Sequence, residues 1–181
     1  MSACPSITVM VKPVSGMCNM CCRYCFYADE LSRRSEPLSP MSIETLEKLV
    51  RRVMNAADRS VHFLFQGGEP TLAGLGFYQA LIGYQKKYLH PGQTVTNAIQ
   101  SNGLNIPDGM IAFFAEHGFL VGISLDGAAS THDRFRIDAA GNGTWARIAQ
   151  TLKKLDAARV EYNILCVVNE EVAAQPAAIA A

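Results

Sequence analysis

Four cysteines lie within eight residues in the stretch Cys18–Tyr27, which reads CNMCCRYCFY. Clustered thiols suit a metal site better than a disulfide framework, because adjacent cysteines such as Cys21 and Cys22 point in different directions. Two arrangements are open. Two consecutive CxxC pairs would make a four-thiolate zinc site. Alternatively, Cys18, Cys22 and Cys25 would place three thiolates on one loop, with Cys21 taking no part.

The spacing of the thiols favours the three-cysteine arrangement. Zinc ribbons separate their two cysteine pairs by about 15–20 residues, so that the chain can surround the ion. Here the two pairs adjoin. Three thiolates suit a [4Fe–4S] cluster, whose usual fourth ligand is another cysteine, and without it one iron keeps an open coordination position. We therefore predict Cys18, Cys22 and Cys25 as cluster ligands, with zinc as the alternative.

Outside this loop, short β-rich runs alternate with amphipathic helical patterns. This alternation predicts an α/β fold with a parallel sheet, and continuous apolar runs such as Ile164–Val168 predict strands buried on both faces. The predicted strands are Ile7–Lys12, Val61–Phe65, Thr94–Gln100, Phe119–Leu125 and Tyr162–Val168. The predicted helices are Ser42–Asn55, Phe77–Tyr88, Asp108–His117 and Trp145–Ala157. Periodicity alone does not decide between an open sheet and a barrel.

The composition of the chain excludes several classes of protein. Its 181 residues include 16 basic and 16 acidic side chains, without the basic excess that is typical of nucleic-acid binding. Apolar residues make up 49%, which excludes a disordered chain. No apolar run approaches the ~18–20 residues that span a bilayer. We expect a cytoplasmic protein with no nucleic-acid or membrane partner.

Three further motifs lie at or near the ends of predicted strands. They are QGGEP at Gln66–Pro70, QSNG at Gln100–Gly103 and SLDG at Ser124–Gly127. Together with the CxxxCxxC loop, its aromatic pair and the preceding Lys12-Pro13, they resemble the anaerobic sulfatase-maturating enzymes of the radical S-adenosylmethionine (SAM) superfamily. The similarity extends over residues 7–168, which is nearly the whole chain.

The resemblance implies a partial TIM-type (β/α) barrel with parallel strands that ends after the fifth strand. Residues 1–181 would be the N-terminal part of a radical SAM domain, because a full barrel has eight βα units and about 250 residues. Family members continue into a cysteine-rich C-terminal domain with two auxiliary clusters. After Cys25 only Cys166 remains in this sequence, so we expect that domain to be absent.

The resemblance also implies an activity, two cofactors and two partners. An electron from the [4Fe–4S] cluster would cleave SAM, and the resulting 5′-deoxyadenosyl radical would take a hydrogen atom from the substrate. The substrate would be a cysteine or serine of an unfolded sulfatase segment, oxidised to Cα-formylglycine. A reductant such as flavodoxin or ferredoxin would supply the electron. The alternatives are another radical SAM peptide-modifying enzyme and a non-catalytic iron–sulfur or zinc module.

Several residues outside the cysteine loop gain roles from the resemblance. Gly67 and Gly68 would let the backbone hold the amino group of SAM, and Glu69, which we also place in the cofactor-binding site, would support their turn. Asn102 would contact the cofactor or substrate, and we assign it to cofactor binding. Ser124 would point inward and contact the carboxylate or ribose of SAM.

The remaining candidates are a cation and two polar side chains. Arg136 would bind the carboxylate of SAM through bidentate hydrogen bonds, with Arg134 as its competitor. Tyr27 and Gln66 would lie beside the open iron and arrange the substrate and its proton path, with Tyr27 also contacting the cofactor. His132 is predicted to lie in a loop and has no assigned role.

Overall fold

The computed structural model describes residues 4–28, 33, 35, 38–174 and 176. Five strands form one sheet, and they are β1 Cys4–Val11, β2 Ala57–Phe65, β3 Thr94–Ser101, β4 Leu120–Ser124 and β5 Tyr162–Leu165. The helices are α1 Ile43–Ala56, α2 Leu75–Tyr88, α3 Asp108–Glu116, α4 Ala129–Phe135, α5 Trp145–Ala157 and α6 Glu170–Ala173, and a 3₁₀ turn covers Pro70–Ala73. Every predicted strand and helix is present, with small shifts at its ends.

The strands lie in sequence order, β1-β2-β3-β4-β5, and every neighbouring pair is parallel. A doubly wound open sheet reverses its strand order part-way along the chain. Right-handed crossovers that always step in one direction instead place the helices on one face and curve the sheet toward a barrel. The topology confirms the α/β class and the partial TIM-type barrel.

The helices cover one face of the sheet, and the hydrophobic core lies there. Along β2, Val61, Phe63 and Phe65 are buried, whereas His62 and Leu64 between them are half-buried. This alternation follows the two-residue period of a strand. In a closed barrel the inner face is covered by strands across the axis, and five strands leave it open. The prediction of a sheet buried on both faces was therefore wrong.

Strand β5 shows this difference most clearly. The apolar run Ile164–Val168 was predicted to be a buried strand, but β5 ends at Leu165. Ile164 is 52% exposed and Val168 is 64% exposed. Within the described residues, β5 pairs with β4 on one side and lies at the edge of the sheet. An apolar run thus identified the strand correctly, while its burial depends on neighbours that the run does not specify.

Helix α4 was missed, because seven residues make about two turns and do not repeat an apolar stripe. His132, predicted to lie in a loop, belongs to this helix and is fully buried. In the part of the chain that the structure describes, no helix combines the length and the apolar character needed to cross a membrane.

Tyr78 on α2 links the core to the motif that follows β2. Its buried ring packs edge-on against Phe65 and Phe114, with ring centroids 5.4 and 5.9 Å apart. Its hydroxyl donates to the carbonyl oxygen of Pro70 at 2.8 Å. The motif is therefore anchored directly in the core.

We expect Tyr78→Phe to keep the ring packing and to leave the Pro70 carbonyl without its donor. The free energy of unfolding should fall by about 1–3 kcal/mol, the usual cost of an unpaired buried polar group. Urea denaturation measures the change. Tyr84→Phe on the same helix is the control, since its hydroxyl makes no hydrogen bond within the described residues. Equal stability of the two variants would contradict the anchoring role.

Candidate active site

The turn after β2 packs directly against the chain that leads into the cysteine loop. The backbone nitrogen of Gly68 donates to the Ser15 carbonyl at 2.8 Å, and that of Glu69 donates to the Met17 carbonyl at 2.7 Å. A Cβ on Gly68 would lie 2.1 Å from the Met17 carbonyl oxygen, so this approach requires glycine. Gly67 has φ 126°, which also favours glycine. The two glycines thus fix where the loop begins.

Glu69 is fully buried and joins this turn to the motif at the end of β3. Its Oε1 accepts from the backbone nitrogen and hydroxyl of Thr71, at 3.0 and 2.7 Å, and from the Ser101 hydroxyl at 2.9 Å. Its Oε2 accepts from the backbone nitrogen of Asn102 at 2.7 Å. Burial raises the pKa of Glu69, while these donors favour its charged form. The carboxylate therefore ties two motifs together.

Asn102 extends this link to the cysteine loop itself. Its Nδ2 lies 3.5 Å from the sulfur of Cys18 and 2.8 Å from Oδ1 of Asn19. The end of β3 thus contacts the first cysteine of the CxxxCxxC loop. The predicted contact of Asn102 with SAM remains a prediction.

A second buried carboxylate, Asp126 in the SLDG motif, holds the loop from the other side. It accepts from Nε and Nη2 of Arg136, at 2.8 and 3.2 Å, and from the hydroxyl of Tyr24. The backbone nitrogen of Val167, just beyond β5, donates to Oδ1 at 2.9 Å. Burial alone would raise the pKa of Asp126, but the hydrogen bonds from Arg136 and Tyr24 hold it below its ordinary value. Neither Tyr24 nor Asp126 was among the predicted site residues.

Backbone contacts reinforce this second attachment. The nitrogen of Cys21 donates to the Ile137 carbonyl at 2.8 Å, and that of Arg23 donates to the Phe135 carbonyl at 2.9 Å. The end of α4 and the residues just after it therefore run alongside the cysteine loop and pair with it. This contact was not predicted, because α4 itself was not.

The two arginine candidates have different surroundings. Arg136 is buried at the site, with its guanidinium 5.3 Å from the ring centre of Tyr24. Arg134 is exposed and pairs with Glu171 at 2.7 Å. Of the two, Arg136 is the one beside the cysteine loop. Because Asp126 already occupies Nε and Nη2, binding of the SAM carboxylate by Arg136 stays a prediction.

Ser124 lies on the inner face of the sheet, as its alternation with the buried Ile123 requires. Its hydroxyl accepts from Nε2 of Gln100 at 3.0 Å. The Gln100 side chain crosses above Gly122, where a Cβ would lie only 2.1 Å from Oε1 of Gln100. Gly122 therefore makes room for a polar pair at the carboxyl ends of β3 and β4.

Tyr27 and Gln66 both lie near the end of β1, but each has its own neighbours. The ring of Tyr27 packs 4.2 Å from that of Phe26, and Nζ of Lys12 lies 4.9 Å from its centre. Nε2 of Gln66 contacts the sulfur of Met10. Neither set of contacts assigns a catalytic step, so their roles stay predictions.

The cysteine side chains have the chemistry that a cluster needs. All are free thiols, with Cys18 exposed and Cys22 and Cys25 half-buried. Burial raises the pKa of Cys22 to about 11, and the nearby Arg136 acts in the opposite direction. Soft sulfur donors on one loop fit an iron–sulfur cluster. Among the described residues, no three His, Cys, Asp or Glu side chains are arranged to hold a single metal ion.

Comparison with known proteins identifies the family. The sequence matches the profile described as "Radical SAM superfamily" over residues 13–179. The chain belongs to the radical SAM superfamily. Radical SAM enzymes use a [4Fe–4S] cluster and SAM, so membership of the superfamily confirms the cofactor prediction. The partial barrel is the fold expected of this superfamily.

Individual relatives show which group within the superfamily the chain resembles. The chain is 43% identical over 166 residues to a "Cysteine-type anaerobic sulfatase-maturating enzyme" of Clostridium novyi, covering 91% of this chain and 44% of the relative. It is 40% identical over 137 residues to a "Serine-type anaerobic sulfatase-maturating enzyme" of Klebsiella aerogenes, covering 74% and 34%. The resemblance to this group is thereby confirmed. The chain spans less than half the length of these relatives.

Solved structures agree with the sequence comparison. One described as "Native anSMEcpe with bound AdoMet" has a TM-score of 0.91 and 38% identity, covering 97% of this chain and 47% of that one. Another, "Native anSMEcpe with bound AdoMet and Cp18Cys peptide", has a TM-score of 0.89 and 36% identity, covering 97% and 46%. This radical SAM chain thus shares its fold with proteins of known structure along nearly its whole length.

His132 supports the Asp126 network of this radical SAM site in its neutral form. Its Nδ1 accepts from the Asp126 backbone nitrogen at 3.2 Å, and its Nε2 lies 2.9 Å from the Thr144 hydroxyl. That hydroxyl donates to the Arg136 carbonyl, so it accepts from Nε2. A second proton, on Nδ1, would turn this acceptor into a donor that faces the Asp126 N–H, so the ring is neutral. Burial lowers the pKa of His132 to about 4, and the positive charge of Arg136 acts in the same direction.

We expect Gly68→Ala to displace the cysteine loop, because the added Cβ meets backbone atoms rather than a flexible side chain. Iron and sulfide bound after anaerobic reconstitution should fall several-fold. Gly76→Ala is the matched control, since a Cβ there meets nothing within 4 Å. Equal cluster content in both variants would contradict the proposed contact.

We expect stability to fall as the pH drops through the unfolded-state pKa of histidine, about 6.5. Below that value the unfolded chain binds a proton that folded His132, with a pKa of about 4, does not. The free energy of unfolding should decrease by roughly 2 kcal/mol between pH 7 and pH 5 from this group. Urea denaturation at both pH values measures it, and His132→Asn should show a smaller decrease. An identical pH dependence in the variant would contradict the neutral assignment.

Proposed function

We propose that the chain holds a [4Fe–4S] cluster on Cys18, Cys22 and Cys25 and uses it with SAM to oxidise a cysteine or serine of a sulfatase to Cα-formylglycine. The observation that carries this proposal is the attachment of the three-cysteine loop on both sides. Glu69 and Asn102 hold it from one side, and Asp126, through Tyr24, holds it from the other.

The relatives support the sulfatase substrate. Both cysteine-type and serine-type sulfatase-maturating enzymes match at similar identity, 43% and 40%. The structure described with a bound Cp18Cys peptide supports a peptide as the molecule that is modified. The similar identities do not favour one residue type, so the proposal names both cysteine and serine.

The cluster and SAM, when bound, supply the electron and the 5′-deoxyadenosyl group that takes a hydrogen atom from carbon. The chain binds and orients them. Gly67 and Gly68 bring backbone close to the loop, where we place the amino group of SAM. Ser124, fixed by Gln100, would contact the carboxylate or ribose. Arg136, beside Cys22, would donate to the SAM carboxylate through the N–H groups that do not bond to Asp126.

The substrate would approach along the open inner face of the sheet. This face carries polar side chains, including the pair His62 and Thr96, whose Nδ1 and Oγ1 atoms lie 2.7 Å apart, and the pair Gln100 and Ser124. An extended peptide needs partners for its backbone groups, which such side chains can supply. Tyr27 and Gln66, at the same end of the sheet as the cysteine loop, would then arrange the substrate and its proton path.

We also propose which domain the chain belongs to, what delivers its electron and in which compartment it works. Residues 1–181 would be the N-terminal part of a radical SAM domain, supported by five sequential parallel strands where a full barrel has eight. A small redox protein such as flavodoxin or ferredoxin would deliver the electron. Four thiols within eight residues need a reducing compartment, which supports the cytoplasm.

We expect the reconstituted chain to bind about four irons and four sulfides, the content of one [4Fe–4S] cluster, and to release 5′-deoxyadenosine from SAM under reductant. Cys22→Ala should lose both properties. Cys21→Ala is the matched control, because Cys21 is exposed and its backbone bond to Ile137 does not need the thiol. Aldehyde trapping on cysteine and serine peptides, analysed by mass spectrometry, tests the substrate.

Each readout answers a separate question. Zinc bound in place of iron, or equal loss in Cys21→Ala and Cys22→Ala, would overturn the cluster assignment. A cluster that cleaves SAM while both peptides stay unmodified would contradict the sulfatase substrate and favour another radical peptide modification.

A further inference from the structure

The sulfur of Cys18 differs from those of the other two proposed ligands in what it contacts. It lies 3.4 Å from the backbone nitrogen of Met20 and 3.5 Å from Nδ2 of Asn102. Within the described ranges 4–28 and 38–174, neither Cys22 nor Cys25 receives an N–H donor on its sulfur. One ligand of the three therefore has a side-chain donor, and this donor comes from the end of β3.

The direction of the Asn102 amide is fixed by the backbone of Leu104. Oδ1 of Asn102 accepts from the Leu104 nitrogen at 2.8 Å, a group that can only donate. Oδ1 of Asn19 accepts from Nδ2 of Asn102, and Nδ2 of Asn19 donates to the Leu104 carbonyl at 3.3 Å. Interchanging oxygen and nitrogen in either amide would place like groups together. The NH₂ group of Asn102 therefore faces Cys18.

The backbone of Asn102 is held as firmly as its side chain. Its nitrogen donates to the buried Oε2 of Glu69, and Oε1 of the same carboxylate is occupied by Thr71 and Ser101. Asn102 itself is 9% exposed. A donor held at both its backbone and its amide keeps one geometry toward the sulfur.

We propose that Asn102 is a positioning residue that raises the reduction potential of the cluster through its hydrogen bond to the Cys18 sulfur. Hydrogen bonds to cluster sulfurs are among the factors that set the potential, because they stabilise the extra negative charge of the reduced state. The inference rests on the proposed function, since it requires a cluster on the three cysteines. It goes further by giving Asn102 an action on the cluster, separate from any contact with SAM.

The test is a redox titration of the reconstituted 181-residue chain, followed by electron paramagnetic resonance without SAM. Asn102→Leu removes the donor while roughly keeping the volume, so the midpoint potential should shift to a more negative value. Asn102→Asp keeps the acceptor for Leu104 and puts a carboxylate beside the sulfur, so the shift should be larger. Thr71→Val removes one hydroxyl bond from Glu69 and leaves the amide in place, so its potential should match that of the unaltered chain.

An unchanged midpoint in Asn102→Leu would overturn the inference and leave the proposed function standing. Equal shifts in Asn102→Leu and Thr71→Val would assign the effect to a loosened Glu69 network and overturn it as well. If Asn102→Leu fails to take up the cluster, Asn102→Asp decides, and an unchanged potential there contradicts the inference. Failure of the unaltered chain to assemble any cluster would overturn the inference and the proposed function together.

Discussion

The buried carboxylate of Glu69 is the contact on which the geometry of the site depends. Burying a charge is costly unless every oxygen finds a donor, and no cation is among the hydrogen-bond partners of Glu69 in the part of the chain that the structure describes. Its donors come from two separate turns, at Thr71 and at Ser101 and Asn102. Moving the end of β3 would leave Oε2 without a donor, and moving the Thr71 turn would remove two of the three donors of Oε1. The carboxylate therefore holds both turns in fixed positions beside the cysteine loop.

Asp126 is also a buried carboxylate, but its charge is stabilised by a cation. Arg136 neutralises it with two hydrogen bonds, and the remaining partners come from the cysteine loop and from the end of β5. A buried pair of this kind contributes little net stability, but removing one partner is strongly destabilising. Its role here is to place Tyr24, and so the loop, relative to β4 and β5. The loop is thus positioned by contacts that do not involve a metal, as a pre-organised binding site requires.

The sequence allowed much of this structure to be predicted, for identifiable reasons. The amphipathic patterns predicted each long helix, and the β-rich runs predicted each of the five strands. The CxxxCxxC spacing and the three strand-end motifs gave the family. What escaped prediction depends on partners distant in sequence. The burial of β5, the short helix α4 and the pairing of Tyr24 with Asp126, 102 residues apart, leave no local signal in composition or periodicity.

The contrast between Asn102 and Tyr24 makes the same point at the level of the site. Asn102 belongs to a recognised motif, yet its contact with Cys18 depends on the amide direction set by Leu104, which only the folded structure shows. Tyr24 stands between two predicted ligands, but nothing around it in the sequence marks it as a partner of Asp126.

Mössbauer spectroscopy of the isotope-enriched cluster, recorded before and after addition of SAM, tests the central claim most directly. Three cysteine ligands leave a single iron with an open position, so SAM should alter the signal of that one iron and leave the other three unchanged. A spectrum in which all irons remain equivalent, or in which SAM has no effect, would contradict the account of a radical SAM site on Cys18, Cys22 and Cys25.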